Sequence, residues 1–176
     1  MGGQVFVDES KAGDYLLIAA IIPATKLAVV RKMVRRLVLP GQGRIHMKKE
    51  SDTRRKVILA EISGRDFSII IYRARAGTGT ELERRQRCIS RLVHDAAIDL
   101  RTHICLERDD TLVLRDNRWL RDAAITEDAA ERLYYRHDVA GSEPLLALPD
   151  IVGWAWARGG MWRHRCNGIP ISVVDV

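Results

Sequence analysis

The chain has 176 residues, 47% of them hydrophobic and 30% charged, which suits one domain (1–176) with a real apolar core. That balance excludes an intrinsically disordered chain, and neither a fixed-period repeat nor a low-complexity tract is visible. The formal net charge is +6 and the pI about 9.5, which admits a polyanionic partner.

The opening MGGQVFVDES lacks the basic start and long apolar stretch of a signal peptide, and the longest apolar run, YLLIAAII, is far too short to cross a bilayer. The expectation is a soluble cytoplasmic protein with no membrane partner. The three cysteines, Cys88, Cys105 and Cys166, form no Cys-x-x-Cys pair, which suits a reducing compartment. Cys166 lies two residues from His164, but two ligands do not make a zinc site, and structural filler is the reading for all three. Charge is unevenly spread. Between positions 24 and 60 there are eleven Lys or Arg and two acids, +9 in all, so the remainder carries 6 − 9 = −3. A basic lobe beside an acidic remainder fits a phosphate-backbone binder with a metal site; two solvated helical faces would look the same.

Residues 4–8 (QVFVD) read as a first strand and 15–22 as a second, ended by Pro23. The short turn between them, with Gly13 as its special backbone position, makes an antiparallel hairpin. Leu27, Val30, Val34 and Leu37 recur at helical spacing within 24–39, and Pro40-Gly41 stops that helix. After the loop QGRIHMKKE, Ser51 stands at the N-cap of a helix over 52–62, with Gly64 at its C′ position. Residues 67–72 form a third strand. The GTGT loop at 77–80 lacks the Gly-Lys-Ser/Thr ending of a phosphate loop. The spacing then predicts an amphipathic helix over 81–100, a strand over 103–107, a short helix over 117–124, a strand over 132–136, and a helix over 149–163 opened by Pro149. The last extended piece, PISVV, would add an edge strand, which could also pair two copies into a homodimer. Strands alternating with helices imply an α/β fold: a mixed central sheet of about five strands, the first two antiparallel, flanked by helices.

Three acids stand at element ends. Asp8 follows the apolar VFV, Glu107 follows ICL, and Asp150 lies within LLALPDIVGWAW. An acid in apolar surroundings is costly unless it is paired or bound to a cation. Three such groups converging at one sheet edge would offer the all-oxygen environment that Mg²⁺ or Mn²⁺ takes, for two-metal phosphodiester hydrolysis. Each also has a plainer reading: Asp8 as a turn opener, Glu107 as a surface partner of Arg108 or Arg136, and Asp150 as a favoured acid in a first helical turn. Glu50 and His46, in the loop before the second helix, are candidates to position water or shuttle a proton, or else solvated loop residues. Ser10 has no base partner, which sets Ser-His-Asp chemistry aside. Trp154, Trp156 and Trp162 are read first as core, with base stacking as the second reading.

The segments VFVDES, LPGQGRIHMKKES, LERDD and EPLLALPDIVGWAWARGG resemble the bacterial domain of unknown function 3800 family, in its actinobacterial form, and the likeness runs over nearly the whole chain. The resemblance implies a ribonuclease-H-like fold and a nuclease activity. It puts the family's acids on Asp8, Glu107 and Asp150, and its loop His and acid on His46 and Glu50. Two departures stand out: position 107 is often Asp in such proteins, and Lys11 stands where Gly commonly follows Asp-Glu-Ser.

The function expected is therefore a metal-dependent nuclease or phosphodiesterase acting on DNA or RNA. Asp8, Glu107 and Asp150 would hold one or two Mg²⁺ or Mn²⁺ ions, with Arg31, Arg35, Lys48, Lys49, Arg54 and Arg55 gripping phosphates without reading bases. The rivals are a non-catalytic nucleic-acid-binding module on the same fold and a protein-interaction adaptor.

Overall fold

Alternation of apolar residues builds the centre of the molecule. In the computed structural model, which describes residues 2–176, β1 (Gly3–Ser10) and β2 (Tyr15–Pro23) pair antiparallel, with Asp8 opposite Ile18. Gly13 in the connecting turn has φ 90°, a left-handed conformation that favours glycine. The one-turn 3₁₀ segment Ala24–Lys26 leads into α1 (Leu27–Leu37). The expected helix over 24–39 is thus shortened at both ends: Val38 is already extended, two residues ahead of Pro40. α2 (Asp52–Ile62) begins as expected, with the Ser51 hydroxyl accepting the Arg54 N–H.

β3 (Ser68–Ala74) pairs antiparallel with β2. α3 (Glu81–Ile98) follows, its start fixed by a reciprocal cap between Thr80 and Glu83, so the GTGT loop serves as a helix cap. β4 (His103–Glu107) returns parallel to β1. α4 (Val113–Thr126) is longer than its expected core of 117–124, and β5 (Tyr134–Asp138), parallel to β4, lies two residues beyond the expected 132–136.

The last expected helix, 149–163, is corrected into two. α5 (Ala147–Arg158) starts earlier, after a 3₁₀ turn at Pro144–Leu146, and Pro149 fits as its third residue because that N–H has no intrahelical acceptor to lose. Gly159 (φ 71°) and Gly160 (φ 50°) then break the chain before α6 (Gly160–His164). β6 (Ile171–Asp175) contains most of PISVV and pairs parallel with β3 at the sheet edge.

The result is a mixed six-stranded sheet in the order β5-β4-β1-β2-β3-β6, the five strands expected plus the edge strand expected at PISVV, with helices on both faces. Period two decides which side chain goes where. Phe6, Ile18 and Cys105 point to the face covered by α1, α2 and α5, whereas Val5, Val7, Ile104 and Leu106 point to the face covered by α3 and α4. All three cysteines are free and buried, and burial pushes their thiols up, to about 12 at Cys88 and Cys105 and about 11 at Cys166, as filler residues should be.

α5 lies close on the sheet. A Cβ at Gly153 would stand 2.9 Å from Ile18 Cδ1, so glycine is what lets this helix approach β2. Gly153→Leu is expected to lower stability by about 1–3 kcal/mol through overpacking, measured as a shift in the urea midpoint.

Candidate functional site

The alternation that buries Phe6 and Cys105 carries two residues further to Asp8 and Glu107. Val7 is in register with Leu106, so Asp8 and Glu107 stand side by side one residue beyond that pair, on adjacent parallel strands and on the α5 face. Asp150 enters from the first turn of α5. All three border one cleft of about 820 Å³, together with His46 and the cations Lys11, Arg44, Lys48, Arg55 and Arg158.

The three acids differ in their partners. Asp8 is half-buried, and its carboxylate accepts a hydrogen bond from the Glu9 N–H at 2.8 Å, with no cationic side chain paired to it among the described residues. Burial, reinforced by the neighbouring carboxylates of Asp150 and Glu107, pushes the Asp8 carboxyl up to about 8. Asp150 accepts the Met47 N–H at 3.0 Å and lies 3.6 Å from His46 Nδ1, which ties the basic loop to α5. Glu107 is held by Arg44 at 2.5 Å, and Arg44 in turn lies 3.5 Å from His46 Nδ1. As the side chains lie, no three His, Cys, Asp or Glu among the described residues are close enough to hold an ion together. Arg44 and the Met47 N–H occupy part of the oxygen set.

Glu50 does not join the acids. It is buried, accepts from Gln42 Nε2 at 3.1 Å and faces Arg54 Nε at 3.6 Å, so the structure assigns it to holding the loop and not to the cleft. The expected phosphate-gripping set divides likewise. Arg31 makes two 3.1 Å hydrogen bonds to the buried Glu143, and Arg54 donates to Leu37 O. Arg31 is thus paired with a buried acid outside the cleft, and Arg54 is anchored to the end of α1, with its Nε lacking a hydrogen-bond partner among the described residues. Lys48 is exposed on the cleft, Lys49 is exposed outside it, and Arg35 borders a separate hollow of about 240 Å³. Arg55 borders the cleft, but its nitrogens donate to Met47 O, Lys48 O and Asp52.

Behind the cleft lies a buried network that the amphipathic pattern of α3 did not mark. Arg85 makes two 2.7 Å bonds to Asp116, a third to the Tyr15 hydroxyl at 2.7 Å, and pairs with Glu9. His137 Nε2 lies 3.3 Å from the same Asp116. Burial by itself would raise the Asp116 carboxyl, but the hydrogen bonds from Arg85 and His137 outweigh it and hold the group below the usual carboxylate range. Glu9 follows Asp8 in β1 and so points to the opposite face, where Arg85 anchors the end of the strand that carries Asp8. Of the other cleft residues, Arg44 lies inside the loop QGRIHMKKE with no distinguishing sequence signal, and Arg158 lies within the helix expected over 149–163.

With this geometry the chain is an α/β protein of ribonuclease-H-like fold. Six chains of solved structures match it, among them RNase HII in the PCNA:RNase HII complex from Archaeoglobus fulgidus, with a TM-score of 0.58, 16% sequence identity, and 90% of this chain aligned to 73% of that one. No protein-family profile and no curated protein sequence matches. No helix among the described residues is long and apolar enough to cross a membrane.

Proposed function

We propose that the chain is a divalent-metal-dependent nuclease or phosphodiesterase acting on nucleic acid in the cytoplasm, folded as one domain over 1–176 and belonging to the domain of unknown function 3800 family. One observation carries this reading: Asp8, Glu107 and Asp150 reach one cleft from three elements, and Asp8 is partly buried beside two other carboxylates with no cation of its own. A carboxylate in that position fits a hard cation, which would relieve the repulsion that burial magnifies.

Asp8, Glu107 and Asp150 would hold Mg²⁺ or Mn²⁺, which supplies an activated water and charge stabilisation at a phosphodiester. The remaining roles belong to the chain itself. His46, beside Asp150, positions water or takes a proton. Lys48 and Arg158 line the cleft and would hold phosphate oxygens without reading sequence.

The first test is calorimetric titration of Mn²⁺ into metal-free wild type and Asp8→Asn. Heat from wild type alone supports the carboxylate site, and a cleavage screen over DNA and RNA follows. Heat from neither, with and without a short oligonucleotide, removes the metal-dependent reading. Arg44 competes with any cation for Glu107, so Arg44→Ala is expected to tighten Mn²⁺ binding about fivefold, the equivalent of ~1 kcal/mol for a partly exposed ion pair. Unchanged or weaker affinity would show that Glu107 is not a ligand.

The same ion pair favours a second reading, a non-catalytic nucleic-acid-binding module in which Arg44 permanently neutralises Glu107. That module would bind nucleic acid with strong salt dependence and ignore EDTA. The protein-interaction adaptor and a homodimer paired through β6 remain expectations from sequence, with oligomeric state read by light scattering.

A further inference from the structure

Asp150, Trp154 and Arg158 follow one another at successive turns of α5, and all three border the cleft. Above Trp154 lies Arg55, with its guanidinium carbon 4.4 Å from the ring centroid. Trp154 is braced from within by Trp162, which is 8% exposed and meets it edge to face at 5.1 Å between centroids.

The hydrogen bonds of Arg55 decide what this stack can do. Its Nε donates to Met47 O at 2.9 Å, Nη2 to Lys48 O at 3.0 Å, and Nη1 to Asp52 Oδ1 at 2.7 Å. Three of its five N–H groups are committed, all in the plane of the guanidinium, which fixes the orientation of that plane. One face rests on Trp154. Arg55 borders the cleft with 16% of its side chain exposed. A planar cation held in a fixed orientation at the border of a cleft is suited to stacking on a flat aromatic ligand.

We propose that Arg55 and Trp154 form a stacking platform for an unpaired nucleobase, so that the cleft takes single-stranded or locally unpaired nucleic acid in preference to intact duplex. The inference rests on the nucleic-acid part of the reading above and is independent of the metal. Asp150, one turn from Trp154, then lies close to the backbone of the strand whose base is stacked, which would bring a phosphodiester toward the acids. Stacking within a duplex covers both faces of each internal base, so the platform discriminates by geometry and not by sequence.

The test is fluorescence anisotropy in EDTA with three labelled DNA probes of equal length: a base-bearing single strand, an abasic single strand, and a blunt duplex. Wild type is expected to bind the base-bearing strand at least about fivefold tighter than the abasic one, and tighter than the duplex. Arg55→Lys, which keeps the charge but loses the plane, and Trp154→Ala should each bring the base-bearing strand down toward the abasic value with the salt dependence unchanged. Equal binding of base-bearing and abasic strands by wild type overturns the proposal, and so does equal binding of duplex or no binding of any probe. The wild-type comparison stands even if a variant fails to fold. Base discrimination without Mn²⁺ heat would sink the metal reading and leave the platform; Mn²⁺ heat without base discrimination would do the reverse.

Discussion

Asp8→Asn is expected to stabilise the metal-free protein while abolishing Mn²⁺ binding and cleavage. The Asp8 carboxyl is pushed up to about 8 in the folded chain from its ordinary value of 3.8, mainly by burial and then by Asp150. A raised carboxyl binds its proton more tightly folded than unfolded, so it favours folding below about pH 4. The folded state then loses stability as pH rises from about 4 to 8, with the full penalty present above 8. An amide in that place has no charge to bury. At pH 9 the gain should be about 2–5 kcal/mol, falling toward zero at pH 4. Thermal melts of both proteins across that range, in EDTA, measure it. A variant less stable than wild type at pH 9 would mean that Asp8 already has a compensating partner. The same proton competes with a cation, so Mn²⁺ affinity of wild type should climb between pH 6 and 8.

Asp116→Ala is expected to have the largest destabilising effect of any single replacement discussed, about 3–5 kcal/mol, because it removes the two-pronged partner of a buried Arg85 and leaves that cation only Glu9 and the Tyr15 hydroxyl. Arg85 is 1% exposed and Asp116 is fully buried, so solvent cannot take over the lost bonds. Replacing both together, as Arg85→Met with Asp116→Leu, should recover most of the loss, since apolar residues of similar volume fill such a site without a desolvation cost. Chemical denaturation of the single and double variants closes the cycle. Because Arg85 also pairs with Glu9, the double variant should fold but hold the end of β1 less firmly. Its Mn²⁺ affinity is expected to drop although no carboxylate of the cleft has been touched. A double variant as unstable as Asp116→Ala would show that the network is irreplaceable packing.

Much of the fold follows from local pattern. β4 and α2 begin and end where their residues predict, because ICL between polar neighbours leaves one register, and because Ser51 and Gly64 bracket the apolar spacing of α2. Period two in VFVDE also determines that Asp8 and Glu9 face opposite sides of whatever sheet they join. The chain's own residues thus specify a mixed α/β sheet, its opening hairpin, and three acids at the ends of elements.

Which of those acids meet, and what meets them, is decided only in three dimensions. The side-by-side placement of Asp8 and Glu107 depends on β1 and β4 being neighbours, a pairing across nearly a hundred residues that no local signal encodes. Glu50 and Asp150 read alike in sequence, as acids near a helix start, yet Gln42 and Arg54 draw one into the loop while the Met47 N–H and His46 turn the other to the cleft. Arg31, Arg54 and Arg55 look like free cations in a basic segment until their acceptors, Glu143, Leu37 O and Met47 O, are seen. A charge along the chain is a local property, but whether it is spent on a partner is settled by distant residues, and that is why the three acids and Lys48 of the cleft could be singled out from sequence and Arg44 and Arg158 could not.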